Sequence, residues 1–373
     1  MHRYASVLAE FEREVPLGLD QPTFSDTKVW GDSSFASVKN ATFLVWDEQL
    51  AADVLGEAPR YEFIFELPEP GHEGPVYIEE SNQIFFSRIA RGYLPQLVID
   101  LNGDEPVLTE YMAKPPVYAP SGARYRDGLI YYAACGGNES LDGRTYYSGL
   151  YTFDPKTMES KVLLNNYYGF FFDGIDDLDL DHEGRIWFTD NLLARNAGSN
   201  TRAPQLGAAS YMFDPTTGAV SVVEDTLEAP NGISFSPDKK ILYITDSSAG
   251  VPMIDPTVPW EQAGGLGWNN TYKRTLYAFD VSEDGLILKN RRPIFVSMDF
   301  APDGLKVAAN GYLLTASGHG IDVLHPSGRP ILRVQTEFLA VNIEFAGPDR
   351  DELWIVGHGG VARVKWGLTG QKP

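Results

Sequence analysis

One recurring pattern constrains this fold more than any other feature of the chain. It consists of a small polar entry residue, a short apolar strand, a turn built on Asp or Gly, and a second apolar strand. The copies are GHEGPVYIEESNQIFFS, APSGARYRDGLIYYAA, IDDLDLDHEGRIWFTD, APNGISFSPDKKILYITD, APDGLKVAANGYLLTA and AVNIEFAGPDRDELWIVG. Their strands are rich in β-branched and aromatic residues and are bounded by Gly, Pro, Asp or Asn. Long amphipathic helical patterns are scarce after the first fifteen residues. Alignment brings Glu73, Ser121, Asp176, Asn231, Asp303 and Asn342 into equivalent places, at intervals of about 40 to 70 residues that suit propeller blades with variable loops. Six copies predict an all-β fold: a single-domain, six-bladed β-propeller of four-stranded sheets around a central channel.

The ring needs closure. The last copy ends in ELWIVGHGGVARVKW, which leaves its sheet one strand short. YEFIFEL, before the first copy, is expected to supply the missing outer strand and leave no open edge. The propeller is therefore expected over residues 61–373, with residues 1–60 as an N-terminal extension packed on it.

The entry residues then line one rim of the channel. Asp, Asn and Gly commonly do no more than punctuate turns, but six in register form a ring. The turns that return to that rim include three long ones, CGGNESLDGRTYYSG, DNLLARNAGSNTRAPQLGAAS and DSSAGVPMIDPTVPWEQAGGLGWNNTYKR. Loops of such length are usually functional walls or lids. They carry Tyr146, Tyr147, Leu192, Leu193, Met253, Trp260 and Trp268, so an apolar pocket is expected above the ring. The alternative for each aromatic is packing of its loop onto the body.

Composition removes several classes of partner. With 51 acidic against 30 basic residues the formal net charge is −21, which repels nucleic-acid phosphates. A lone cysteine, Cys135, excludes an internal disulfide framework and any cysteine metal cluster. The opening MHRYASVLAEFEREVPLG has glutamates where a signal peptide needs an apolar run, and no segment reaches membrane-span length. The chain is expected to be cytoplasmic, with no membrane partner. Its oligomeric state leaves no trace in the sequence.

The stretch FFDGIDDLDLDHEGRIWFTD holds seven carboxylates. An EF-hand is excluded, because a loop starting at Asp177 would have His182 where glycine is required. Asp177, Asp179 and Asp181 alternate with Leu178 and Leu180, as on a strand with one polar face. Asp181 belongs to the strand-joining turn DHEG, and Asp173 and Asp176 are the acids expected to point into the channel.

HEGPVY, PNGISFSPDKKILYITD, PDGLKVAANGYLLTASGHGIDVLHPSG and NIEFAGPDRDELWIV together resemble the SMP-30/gluconolactonase/luciferin-regenerating-enzyme family of six-bladed propellers. LLNNYYGFFFDGIDDLDLDHEGRIWFTD looks closest to its fungal lactonohydrolase branch, and the resemblance runs from about residue 60 to the end. In that family a divalent cation, usually calcium, sits at the channel mouth. The resemblance implies Glu73, Asn231 and Asp303 as its ligands, and hard oxygen donors do suit a hard cation. It also implies hydrolysis of a lactone or related cyclic ester, with Asp303 as first choice for the base and Asp176 as second. This chain departs from the branch, whose N-x-x-N-D pattern is here D-G-I-D-D, Asp173 to Asp177.

Around that core His72, His319 and His358 fall beside the rim as candidate oxyanion donors or proton shuttles, or as structural residues. Asp173, Ser121, Tyr147, Arg195, Met253, Trp260, Trp268 and Asn342 are expected to contact a small-molecule substrate of apolar or aromatic character. No Gly-x-Ser-x-Gly elbow occurs, which argues against a serine hydrolase. Two readings compete with hydrolysis. Some fungal propellers of this type look like hetero-Diels–Alder pericyclases, which need partners held in near-attack geometry and a few donors, here Arg195, Arg202, Tyr147 and the histidines. A non-catalytic ligand-binding propeller would show a pocket and no turnover.

Overall fold

The computed structural model describes residues 4–6, 33–68, 71–89, 92–137, 142, 144–196, 200, 202–250, 269 and 271–372. Six blades follow one another around a ring, each with four antiparallel strands and each starting at the axis. Blade 1 runs from His72–Ile78 to Val107–Tyr111, blade 2 from Pro120–Arg126 to Glu159–Leu164, and blade 3 from Ile175–Leu180 to Ala219–Glu224. Blade 4 spans Pro230–Phe235 to Leu288–Val296, and blade 5 spans Pro302–Val307 to Pro330–Gln335. Blade 6 contains Leu339–Ala346, Glu352–His358 and Gly360–Lys365, and its outer strand is Arg60–Glu66. Tyr61 pairs with Val364 and Phe65 with Val361. The ring is thus closed by the N-terminal strand, as the truncated last repeat requires. The innermost strands pack against one another in order and return from blade 6 to blade 1.

Both faces of a blade strand are buried, which explains the unbroken apolar runs. In ILYITD of blade 4, Leu242 and Ile244 pack toward blade 3 while Tyr243 packs toward blade 5. The core is accordingly a set of apolar wedges between neighbouring blades, with Trp187 between blades 3 and 4 and Trp354 between blades 6 and 1, both fully buried. Replacing either by alanine costs about 3–5 kcal/mol.

The extension adds to blade 5. Phe43–Val45 pairs antiparallel with Leu332–Val334, and Tyr4–Ser6 pairs parallel outside it. A helix over Glu48–Leu55 follows, capped by the Asp47 carboxylate on the Leu50 N–H at 3.0 Å. Its Ala51, Val54 and Leu55 join the wedge between blades 5 and 6.

A bulge aims the entry residues. In all six blades the register of the innermost strand breaks at the same place: Glu73/Val76, Pro120/Gly122, Ile175/Leu178, Pro230/Ile233, Pro302/Leu305 and Ala340/Asn342. Such a break bends the strand and redirects a side chain. Glycine follows the entry residue in four blades; in blades 2, 4 and 5 the neighbouring strand approaches too closely for a Cβ, and in blade 1 Gly74 has a φ of +55°. A Cβ at Gly304 would lie 2.5 Å from Asn342 Cγ, and one at Gly122 would lie 2.4 Å from Asp177 Oδ1. Blade 3 has Asp177 in this slot, and its carboxylate reaches over Gly122 on one side and accepts the Ile233 N–H at 3.2 Å on the other.

Candidate active site

Hydroxyls and an amide on the first and second strands tie the blades together and so hold the rim in shape. Thr189 donates to the Asn231 carbonyl at 2.7 Å, Thr245 to the Asp303 carbonyl at 3.0 Å, and Ser121 to the Ile175 carbonyl at 3.0 Å. The Asn342 amide reaches across blade 1 to the Ser121 carbonyl at 3.4 Å. A contact between blades 6 and 2 is possible only if the entry residues converge on the axis.

Four carboxylates meet there. Burial and the charges of Asp303, Asp176 and Asp177 push Glu73 well above the usual range, against a hydrogen bond from Asn342. Burial, then Asp176, does the same to Asp303, opposed by Asn231 and the Gly304 N–H. Asp176 rises to about 7, chiefly through burial, although Asn191 Nδ2 donates to its Oδ2 at 2.7 Å. Burial also raises Asp177, against Arg124 and Lys306. One oxygen stands out: Asp303 Oδ1 is buried and has no hydrogen-bond partner. The predicted trio of Glu73, Asn231 and Asp303 therefore offers two carboxylates, one with an uncommitted oxygen, and an amide. That chemistry fits a hard divalent cation. No group of three or more His, Cys, Asp or Glu side chains is arranged to hold a metal among the described residues.

A wall rises beside the ring over blades 2 and 3. Tyr147 stacks on Phe171 with centroids 4.6 Å apart and planes 10° apart. The Arg202 guanidinium lies over both rings, at 4.7 and 5.2 Å. Asp173, raised to about 6 by burial, sits below and accepts the Gln205 N–H at 3.4 Å. Arg195 is buried and supports the loop, with Nη1 donating to the Arg202 carbonyl at 2.6 Å. Met253, Trp260 and Trp268 lie outside the described residues.

The histidines divide. His72 is fully buried, and its Nδ1 lies 3.0 Å from the Gly357 carbonyl. A carbonyl only accepts, so a neutral His72 carries its proton on Nδ1. His319 and His358 are exposed on their turns. Partial burial lowers the pKa of His358, and the His319 N–H donates to Asp299 at 2.8 Å.

Three participants were not singled out from the sequence. Asn191 holds Asp176 and also donates to the Pro230 carbonyl at 2.7 Å. Asp190 before it accepts the Gly174 N–H at 2.8 Å, and its counterpart Asp246 accepts those of Glu228 and Ala229. The signal was present in the paired endings FTDN and ITDS, which place a fixed acid and then a polar side chain behind each rim turn. Phe171 carried no such signal.

At the opposite end of the channel a cavity of about 670 Å³ is lined by Arg124, Asp179, Lys239, Lys306, Glu344 and Arg350 among others. Here the charges are paired. Lys306 Nζ lies 2.6 Å from Glu344, and Arg124 Nε lies 3.4 Å from Asp179.

A closed six-bladed propeller with an acidic channel mouth and a walled rim defines the class: a small-molecule enzyme scaffold. Comparison with known proteins agrees. Residues 72–254 and 257–358 match the family described as SMP-30/Gluconolactonase/LRE-like region. Lactonohydrolase oryL of Aspergillus oryzae is 51% identical over 371 residues, covering 99% of this chain and 85% of that protein. Lactonohydrolase oryH of the same fungus is 45% identical over 424 residues, covering 99% and 90%. Among solved structures, a gluconolactonase from Xanthomonas campestris superposes with a TM-score of 0.66 at 22% identity, over 86% of this chain and 93% of that one. The chain belongs to the SMP-30/gluconolactonase/LRE-like family and is a lactonase-like enzyme.

Proposed function

We propose that the chain hydrolyses a small lactone or related cyclic ester at the acidic mouth of its channel. Asp303 carries this reading, because its buried Oδ1 is uncommitted within a ring of carboxylates raised by burial and by neighbouring acids. The names of the A. oryzae relatives support the same reaction class. Water adds to the acyl carbon, the ring C–O bond breaks, and the alkoxide leaves as a hydroxyl, giving a hydroxy acid. Asp303 takes the water proton, and Asp176, hydrogen-bonded by Asn191 and with a pKa near 7, passes a proton to the leaving oxygen. A divalent cation held by Glu73, Asn231 and Asp303, calcium by the donor chemistry, would supply positive charge that keeps Glu73 and Asp303 ionised and polarises the lactone carbonyl. Tyr147 and Phe171 offer an apolar side for the substrate body.

The same aromatic shelf favours one second reading, positional catalysis of a pericyclic coupling, which needs no base. A panel of aldonolactones and aromatic lactones, assayed with calcium and with chelator, separates them. Ring opening that chelation abolishes supports metal-assisted hydrolysis; no turnover of any lactone under either condition removes it.

A further inference from the structure

We infer that Arg202 is a recognition residue for a carboxylate on the substrate, so that the lactone taken by this site is an anionic one. The inference rests on the hydrolytic reading and names its substrate class.

Arg202 is half-buried on the wall near Asp173 and Tyr147. Several other arginines sit on carboxylates: Arg124 on Asp179, Arg185 on Asp181, Arg333 on Asp299 and Asp322, and Arg363 on Glu62. Arg202 forms no ion pair with any described residue. Its side-chain hydrogen bond to a described residue runs from Nε to Asn200 Oδ1, at 3.4 Å, and neither Nη group has an acceptor among the described residues. The Arg202 charge is felt at Asp173, where it works against the rise that burial causes, yet the two form no ion pair. Instead the Asp173 carboxylate turns to the Gln205 N–H.

The position is built rather than accidental. Asn200, which holds Nε, is itself fixed by donating Nδ2 to the Asp173 carbonyl at 2.5 Å. Arg195 clamps the Arg202 carbonyl from behind, and the Tyr147–Phe171 pair supports the guanidinium plane. A planar fork held on an aromatic shelf with two free nitrogens matches a carboxylate bidentately. A mouth ringed by acids otherwise repels an anion, so a dedicated cation at the wall is what such a substrate requires. The Arg202 side chain then orients the carboxylate end while the lactone carbonyl faces Asp303.

The test uses the full chain and matched pairs of γ-lactones bearing either a carboxylate or its uncharged carboxamide. Wild type is expected to favour the carboxylate by about 10- to 100-fold in kcat/KM, the discrimination expected of hydrogen bonds to a charged group. Arg202→Gln should remove that preference mainly through KM, and Arg202→Lys, which keeps charge without the fork, should retain part of it. An equal rate on both members of the pair in wild type overturns the inference while leaving hydrolysis standing, and it needs no variant to fold. Failure of wild type to open any lactone removes the hydrolytic reading itself. A preference that survives in Arg202→Gln also overturns the inference, since the selectivity then lies elsewhere.

Discussion

The two ends of the channel are built from alternate residues of the same innermost strands, yet they treat charge in opposite ways. At the lower end Asp179 lies below the usual carboxylate range: burial would raise it, but Lys239 and Arg124 more than offset that. Lys306 is lowered by burial and by Arg124, and Glu344 holds it. At the upper end burial raises Glu73, Asp176 and Asp303, neighbouring carboxylates add to it, and none of the three forms an ion pair among the described residues. A layer that neutralises itself needs no charge from outside. A layer left unneutralised is available to something from outside. The contrast separates structural from functional polarity more sharply than residue type does, since aspartates occur in both.

The largest effect should come from the upper layer. Asp303→Asn is expected to lower kcat on the true lactone by about 10²–10⁴-fold, the range for a positioned general base. Its melting temperature should hold or rise, because a repelling carboxylate is removed. Activity that persists in this variant assigns the base elsewhere. The lower layer should answer with stability alone. Lys306→Met leaves Glu344 buried and poorly paired, a loss of about 3–5 kcal/mol in urea unfolding, and Lys306→Met with Glu344→Leu should recover most of it. If the single variant is as stable as wild type, the two layers are not different in kind.

The smallest effect is in pH. A carboxyl whose folded pKa exceeds its unfolded value takes up a proton on folding, so stability is full below the unfolded pKa and declines as pH rises through the folded one. Asp173 at about 6 and Asp176 at about 7 place that decline between roughly pH 4 and 7. In chelator, the melting temperature should therefore be higher at pH 5 than at pH 8, and Asp176→Asn should flatten the slope. A slope of opposite sign would mean the ring is compensated after all.

Much of this could be read along the chain. The truncated last repeat demanded an outer strand, and YEFIFEL supplies it at Arg60–Glu66. Asp181 was legible as a turn residue, and it accepts the Glu183 and Arg185 N–H groups within that turn. Asp177 was harder. It looked like one tooth of an alternating strand, whereas the missing side chain at Gly122 lets its carboxylate bridge blades 2 and 4 at the axis. Ser121 aligned with the ring, yet its hydroxyl is committed to the Ile175 carbonyl.

The sequence by itself determined the number of blades, their order and the place of the entry residues, because those follow from local periodicity and from turn chemistry repeated six times. Only the tertiary structure decided which acids are compensated. Whether Asp179 meets Arg124, or Asp303 meets no cation, depends on distances across the ring between residues dozens of positions apart, and electrostatic energy inside a buried channel follows those distances rather than sequence spacing.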